Sequence, residues 1–180
     1  MTTRKSMYVS VAVVAVAVLW YLFRPDALVV SKTVDEPLPG AEHAMSVMED
    51  SSSTVPQSAM VTREPVRLTS GRFHKNAHAT TGLATIYRLE DGRRVLRFTG
   101  FATSNGPDVR VYLVAAGDVQ DEAAVKKAAF VDLGALKGNI GDQNYDVPTG
   151  LDLSRYRAVS IWCRRFSVNF VAAPLAEIPA

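Results

Sequence analysis

Leu83 to Ala102 reads "LATIYRLEDGRRVLRFTGFA", two runs of alternating apolar and polar residues on either side of Glu90-Asp91-Gly92. A period of two sends one side of an extended chain to a core and the other to water. An Asp-Gly step between two such runs supplies the backbone freedom a tight hairpin needs. No other stretch constrains the fold as tightly, because a helix would require apolar residues three and four apart. The pattern continues downstream. Asn105-Gly106-Pro107-Asp108 forms the next turn and opens "VRVYLVAA", with Val109, Val111 and Leu113 on one face and Arg110 and Tyr112 on the other. Gln120 to Ala129, "QDEAAVKKAA", suits one or two helical turns, acids early and lysines late as the helix dipole prefers. Then come "FVDLG", a Gly-rich bend "LKGNIGDQ", "NYDVP", "YRAVSIWC" and "FSVNFVA". About eight short strands with frequent turns predict an all-β antiparallel sandwich or barrel-like domain over residues 62–180.

Upstream, composition changes twice. Met7 to Phe23, "MYVSVAVVAVAVLWYLF", carries no charge and follows Arg4 and Lys5. At helical rise it spans about 26 Å, close to the hydrocarbon thickness of a bilayer. Trp20, Tyr21 and Arg24 suit the interfacial layer. Cleavage as a signal peptide at Ala15-Val16-Ala17 would leave "VLWYLF" as a new terminus, so an uncleaved transmembrane helix is the expectation. Residues 1–6 then stay cytoplasmic and all that follows faces outward, giving a single-pass cell-membrane protein. Residues 24–61 hold Pro25, Pro37, Pro39, Pro56 and a Ser51-Ser52-Ser53 run without periodicity. Between Arg24 and Met60, two basic against six acidic residues leave a net charge of −4. Such a segment buries too little apolar surface to offset its ordering entropy and reads as a flexible stalk, with a short helix suggested at Ala41–Met48.

Residues 62–180 hold sixteen basic and twelve acidic side chains, a net of +4. That is too mild, and too poorly interleaved with aromatics, for a nucleic-acid partner. Phosphate loops, G-x-S-x-G, H-E-x-x-H, C-x-x-C and C-x-x-C-H are all missing from the sequence. Asp108, Asp132, Asp142, Asp146 and Asp152 stand beside turns, where Asp ordinarily caps backbone, and a hydrolytic site requires a cleft that gathers them with His78.

One cysteine remains, Cys163, inside "SIWCRRFSVNF". Arg157, Val159, Ile161 and Cys163 fall on one face of a strand; Tyr156, Ala158, Ser160 and Trp162 fall on the other. Val159 and Ile161 mark the first face as the core side, so the thiol points inward at the strand's end. Arg164-Arg165 turn the chain, and Phe166, Val168 and Phe170 share the returning inner face. Two readings of Cys163 stay open: a small core hydrophobe, or a reactive or ligating thiol biased towards thiolate by the guanidinium pair. His74 and His78 stand four apart in "GRFHKNAHATTG" and, on a strand, share a face. With Cys163 they are the candidate ligands for a metal or haem; otherwise His78 makes a structural hydrogen bond and His74 is exposed.

From Gly71 to about Leu175 the chain resembles the DM13 domain of animal cell-surface and bacterial envelope proteins. "GRFHKNAHATTGLATIY", "LRFTGFATSNGPDVRVYL", "LKGNIGDQNYDVP" and "SIWCRRFSVNFVAAPL" carry the resemblance. It implies an electron-transfer or redox module whose characteristic hairpin cysteine, here Cys163, acts as a thiol or as a ligand to a group such as haem or a metal. His78 is a lesser candidate, Trp162 would shape the surroundings and Arg164 would bias the charge. A redox partner protein at the cell surface is the implied partner. The alternative is a cell-surface binding or structural module in which Cys163 only packs.

Overall fold

The computed structural model describes residues 2–23, 30–40 and 64–178. Helix α1 covers Thr2–Phe23, 22 residues. Eleven strands follow among the described residues: β1 Thr33–Asp35, β2 Val66–Arg72, β3 His74–Lys75, β4 Thr81–Arg88, β5 Arg94–Ala102, β6 Val109–Val114, β7 Phe130–Ala135, β8 Ile140–Val147, β9 Ala158–Cys163, β10 Val168–Pro174 and β11 Ala176–Glu177. Helix α2, Glu122–Lys127, lies between β6 and β7. Two sheets form, in the orders β1-β8-β5-β4-β2-β11 and β3-β10-β9-β6-β7. Every pairing is antiparallel except the edge pair β1–β8. The expected β-sandwich is therefore present.

Its core lies between the sheets. Ile86, Leu96, Phe98 and Phe101 from the first meet Val111, Leu113, Val159 and Ile161 from the second. Phe73 packs edge-on to Phe98, ring centroids 5.0 Å apart at 90°, and Phe98 also contacts Phe101 and Tyr145. The second sheet is buried on its outer face as well. Tyr112, Val114, Trp162 and Ala172 pack with Val119 and with Val125 of α2. Asp121 caps α2 by accepting the Ala124 N–H at 2.7 Å. This second layer explains why every residue of β9 is buried, including those assigned to an outward face by alternation.

Residues 30–40 depart from the expected flexible stalk. They form a strap along the free edge of β8, with Thr33, Val34 and Asp35 in register with Ile140, Gly141 and Asp142. Asn105 Nδ2 donates to the Val30 carbonyl at 2.7 Å, and Asn139 Oδ1 accepts the Lys32 N–H at 2.7 Å. The seat is shaped for this backbone. A Cβ on Gly138 would stand 2.5 Å from the Lys32 carbonyl oxygen, and one on Gly141, at φ +100°, would stand 2.0 Å from that of Val34. The suggested helix at Ala41–Met48 lies outside the described residues.

Glu36 locks the strap. Its carboxylate accepts from Lys137 Nζ at 2.8 and 2.9 Å and from the Asn144 N–H at 2.8 Å, while Arg97 donates to its carbonyl at 2.8 Å. Burial pushes this carboxyl up, but the hydrogen bonds from Lys137 and Asn144 and the charges of Lys137 and Arg97 outweigh it and hold the group below its ordinary 4.5. A depressed folded value stabilises above the unfolded one and loses that contribution as pH falls through the folded one. Limited proteolysis within residues 30–40 is thus expected to accelerate as pH drops below 4.5. Glu36→Gln should accelerate it at neutral pH, at a stability cost of about 1 kcal/mol for a half-exposed charged bond.

The transmembrane part of the expectation is not supported by the fold. Over the described residues no helix is long and apolar enough to cross a membrane. In α1 the described side chains are Tyr8 and those of residues 11–21, all exposed.

Candidate functional site

Cys163 ends β9 opposite Val109 of β6 and Val168 of β10. Its side chain is 0% exposed and belongs to the main apolar core with Val109, Ile161 and Phe170. The inward placement read from alternation is what the fold has. The guanidinium pair does not cover the sulfur. Arg164 Nε donates to Asp108 Oδ2 at 2.9 Å, the Arg164 N–H donates to the Asp108 carbonyl at 2.8 Å, and that carboxylate holds the Arg164 pKa above its ordinary value. Arg165 is exposed, and so is Phe166 at 50%, contrary to the expectation that Phe166 shares the inner face. The reason is local: residues 164–167 form the turn itself, with Ser167 at φ +55°, so alternation restarts only at β10. A bulge between Asn169 and Val171 then lets Phe170 and Val171 both enter the core.

The two histidines do not converge on the thiol as a ligand set. His74 Nε2 hydrogen-bonds Asp118 Oδ1 at 2.9 Å, tying β3 to the segment before α2. Asn76 and Asn169 fasten that same segment by donating to the Val119 carbonyl at 2.9 and 3.3 Å, and Ser160 donates to Asn169 Oδ1 at 2.9 Å. The His78 ring lies against Phe170, centroids 4.0 Å apart, and the His78 backbone N–H donates to the Phe170 carbonyl at 3.0 Å. Burial lowers the His78 pKa, which favours a neutral ring.

A haem or metal held by Cys163 and His78 does not fit this arrangement. The sulfur is enclosed by apolar side chains, and among the described residues no three His, Cys, Asp or Glu groups gather as ligands. The one buried side-chain polar atom without a partner among the described residues is Thr69 Oγ1, on β2. The turn aspartates are dispersed, and four of the five are engaged: Asp108 with Arg164, Asp132 with Arg110, Asp142 with Arg97, and Asp152 with Ser154. They do not make the cleft that a hydrolytic reading requires.

Sequence reasoning missed the outer aromatic stack. Phe130 stacks on Tyr112 at 4.4 Å and 15°, Tyr112 lies 6.5 Å from Trp162 at 23°, and Lys126 Nζ stands 6.0 Å from the Trp162 ring centroid. Their placement depends on the β6–β7 and β6–β9 registers, which single-strand alternation does not contain.

Fold and site together define a small two-sheet β-sandwich with one enclosed thiol at a hairpin end and a helix over its outer face. The chain belongs to the DM13 family, described as "Electron transfer DM13", which matches residues 72–175, more than half its length. That membership assigns the domain coarsely to electron transfer. The match takes in β3 to β10 and leaves α1 and the strap outside. No curated protein and no solved structure matches the chain.

Proposed function

We propose that this chain is a membrane-anchored electron-transfer module working outside the cytoplasm, with Cys163 as its redox group. The DM13 match over residues 72–175 carries this reading. The anchor is supported by the uncharged run Met7–Phe23 within a single helix, with Arg4 and Lys5 just before it, the basic flank that tends to stay cytoplasmic in such anchors. Because the chain has one cysteine, its thiol–disulfide chemistry takes the form of exchange: the Cys163 thiolate attacks a disulfide of a partner protein at the cell surface, a mixed disulfide forms, and one partner sulfur leaves as thiolate, the partner disulfide being the oxidant. Cys163 being enclosed, this chemistry requires the 164–167 turn to open.

That same enclosure favours a second reading, in which Cys163 only packs and the module binds or supports surface partners. Reaction with a thiol reagent separates the two. In the redox reading the native chain reacts at a rate set by opening of the turn, and Cys163→Ser abolishes coupling to the partner. In the packing reading the thiol reacts only in denaturant. Cys163→Ala then costs about 1 kcal/mol with no chemical phenotype.

A further inference from the structure

The strap determines which end of the sandwich is nearest to α1. Only residues 24–29 separate Phe23 from Val30, whose carbonyl is held by Asn105. Seven residue steps reach at most about 25 Å. Without the strap, the tether would run from Phe23 to Val66, with several times that reach. Asn105 belongs to the 103–108 connection from β5 to β6, at the end of the sandwich where β9 turns through residues 164–167 into β10. Gly106 and Phe170 are in contact there, since a Cβ on Gly106 would stand 3.0 Å from the Phe170 ring. The β4–β5 turn at Glu90-Asp91-Gly92 stands at the opposite end, about 30 Å away along nine-residue β5.

The near end carries a tip whose composition suits a lipid surface. Arg164, Arg165 and Phe166 are consecutive and all exposed, and Val30 beside Asn105 is 62% exposed. Arg164 stays tied to Asp108, which fixes the turn and leaves Arg165 and Phe166 projecting. A guanidinium pairs with headgroup phosphates, and an exposed aromatic ring beside it enters the interfacial layer.

We propose that the strap holds this end of the sandwich against the membrane that α1 enters, with Arg165 and Phe166 in contact with anionic lipid headgroups. The proposal rests on the anchor reading above. It gives the hairpin that covers Cys163 a lipid-facing position, whether or not that thiol reacts.

The test uses the full chain reconstituted into vesicles of equal parts phosphatidylcholine and phosphatidylglycerol carrying a headgroup quencher. Single fluorophores are attached at Ser104→Cys or Glu90→Cys, both exposed positions, and the chain without either change gives the background from the enclosed Cys163. Quenching at position 104 is expected to exceed that at position 90 several-fold. Phe166→Asp combined with Arg165→Glu is expected to remove most of that excess. An anchored chain with equal quenching at the two labels, or with an excess that the tip substitutions leave intact, overturns the proposal alone. A chain absent from the vesicle pellet overturns the anchor reading and the proposal with it.

Discussion

Replacing Gly71 by alanine is expected to cost the domain more than about 3 kcal/mol, enough to leave a marginal fold largely open. The reason is a backbone crossing. β10 leaves the second sheet at Pro174, the Leu175 N–H donates to the Arg157 carbonyl at 2.7 Å, and β11 joins the first sheet with Ala176 opposite Ser70. The chain passes directly over Gly71 as it changes sheets. A Cβ there would stand 1.8 Å from the Pro174 carbonyl oxygen and 2.8 Å from its carbon. Backbone cannot move aside as a side chain end can, so either β11 detaches or the two sheets separate. Gly92→Ala provides the contrast. Gly92 sits at φ +82° with nothing within 4 Å of a built Cβ, so only the backbone preference is lost, at about 1 kcal/mol. Urea unfolding read by the fluorescence of buried Trp162 measures both. A Gly71→Ala midpoint no lower than that of Gly92→Ala would show that the crossing has room to yield.

Much of the fold is legible locally. The Asp91-Gly92 turn lies between β4 and β5 as its flanking alternation requires, and Val109, Val111 and Leu113 share the inner core. Val159, Ile161 and Cys163 likewise enter the core together. What alternation misses depends on partners distant in sequence. Ser160 and Asn169 read as solvent-facing, yet both are 0% exposed because the 115–121 segment and α2 cover them and supply the Val119 carbonyl. The strap is illegible for a similar reason. It contributes a three-residue strand with Val34 only half-buried, and its signal lies a hundred residues away in Gly138 and Gly141. Composition alone describes 24–61 as polar and proline-rich; it does not register that a complementary edge exists. The candidate site shows the same split. Inwardness of the thiol follows from the strand period, whereas the direction of Arg164 is set by Asp108, 56 residues earlier.

The floor beneath the strap should be as sensitive as the crossing. Gln143 is 0% exposed and satisfied on both ends. Its Oε1 accepts from Tyr145 Oη at 2.7 Å and from the Gly138 N–H at 3.2 Å, and its Nε2 donates to the Gly138 carbonyl at 2.9 Å. Tyr145 Oη also accepts the Lys137 N–H at 3.0 Å, and burial raises the pKa of this hydroxyl, keeping it a donor. Gln143→Leu preserves volume but strands the Gly138 N–H, the Gly138 carbonyl and the Tyr145 hydroxyl. At about 1–3 kcal/mol for each buried group left without a partner, partly recovered by relaxation, a loss of about 3–4 kcal/mol is expected. Tyr145→Phe should cost only about 1–2 kcal/mol, because the Gln143–Gly138 pair survives it. The two substitutions also differ in place. Gly138 is where the Lys32 carbonyl rests, so Gln143→Leu should raise hydrogen exchange at Lys32, Val34 and Glu36 before the global transition, whereas Tyr145→Phe should leave the strap closed. Equal exchange in both variants would mean that the bend adds nothing to the hold that Glu36 and its ion pair already give the strap.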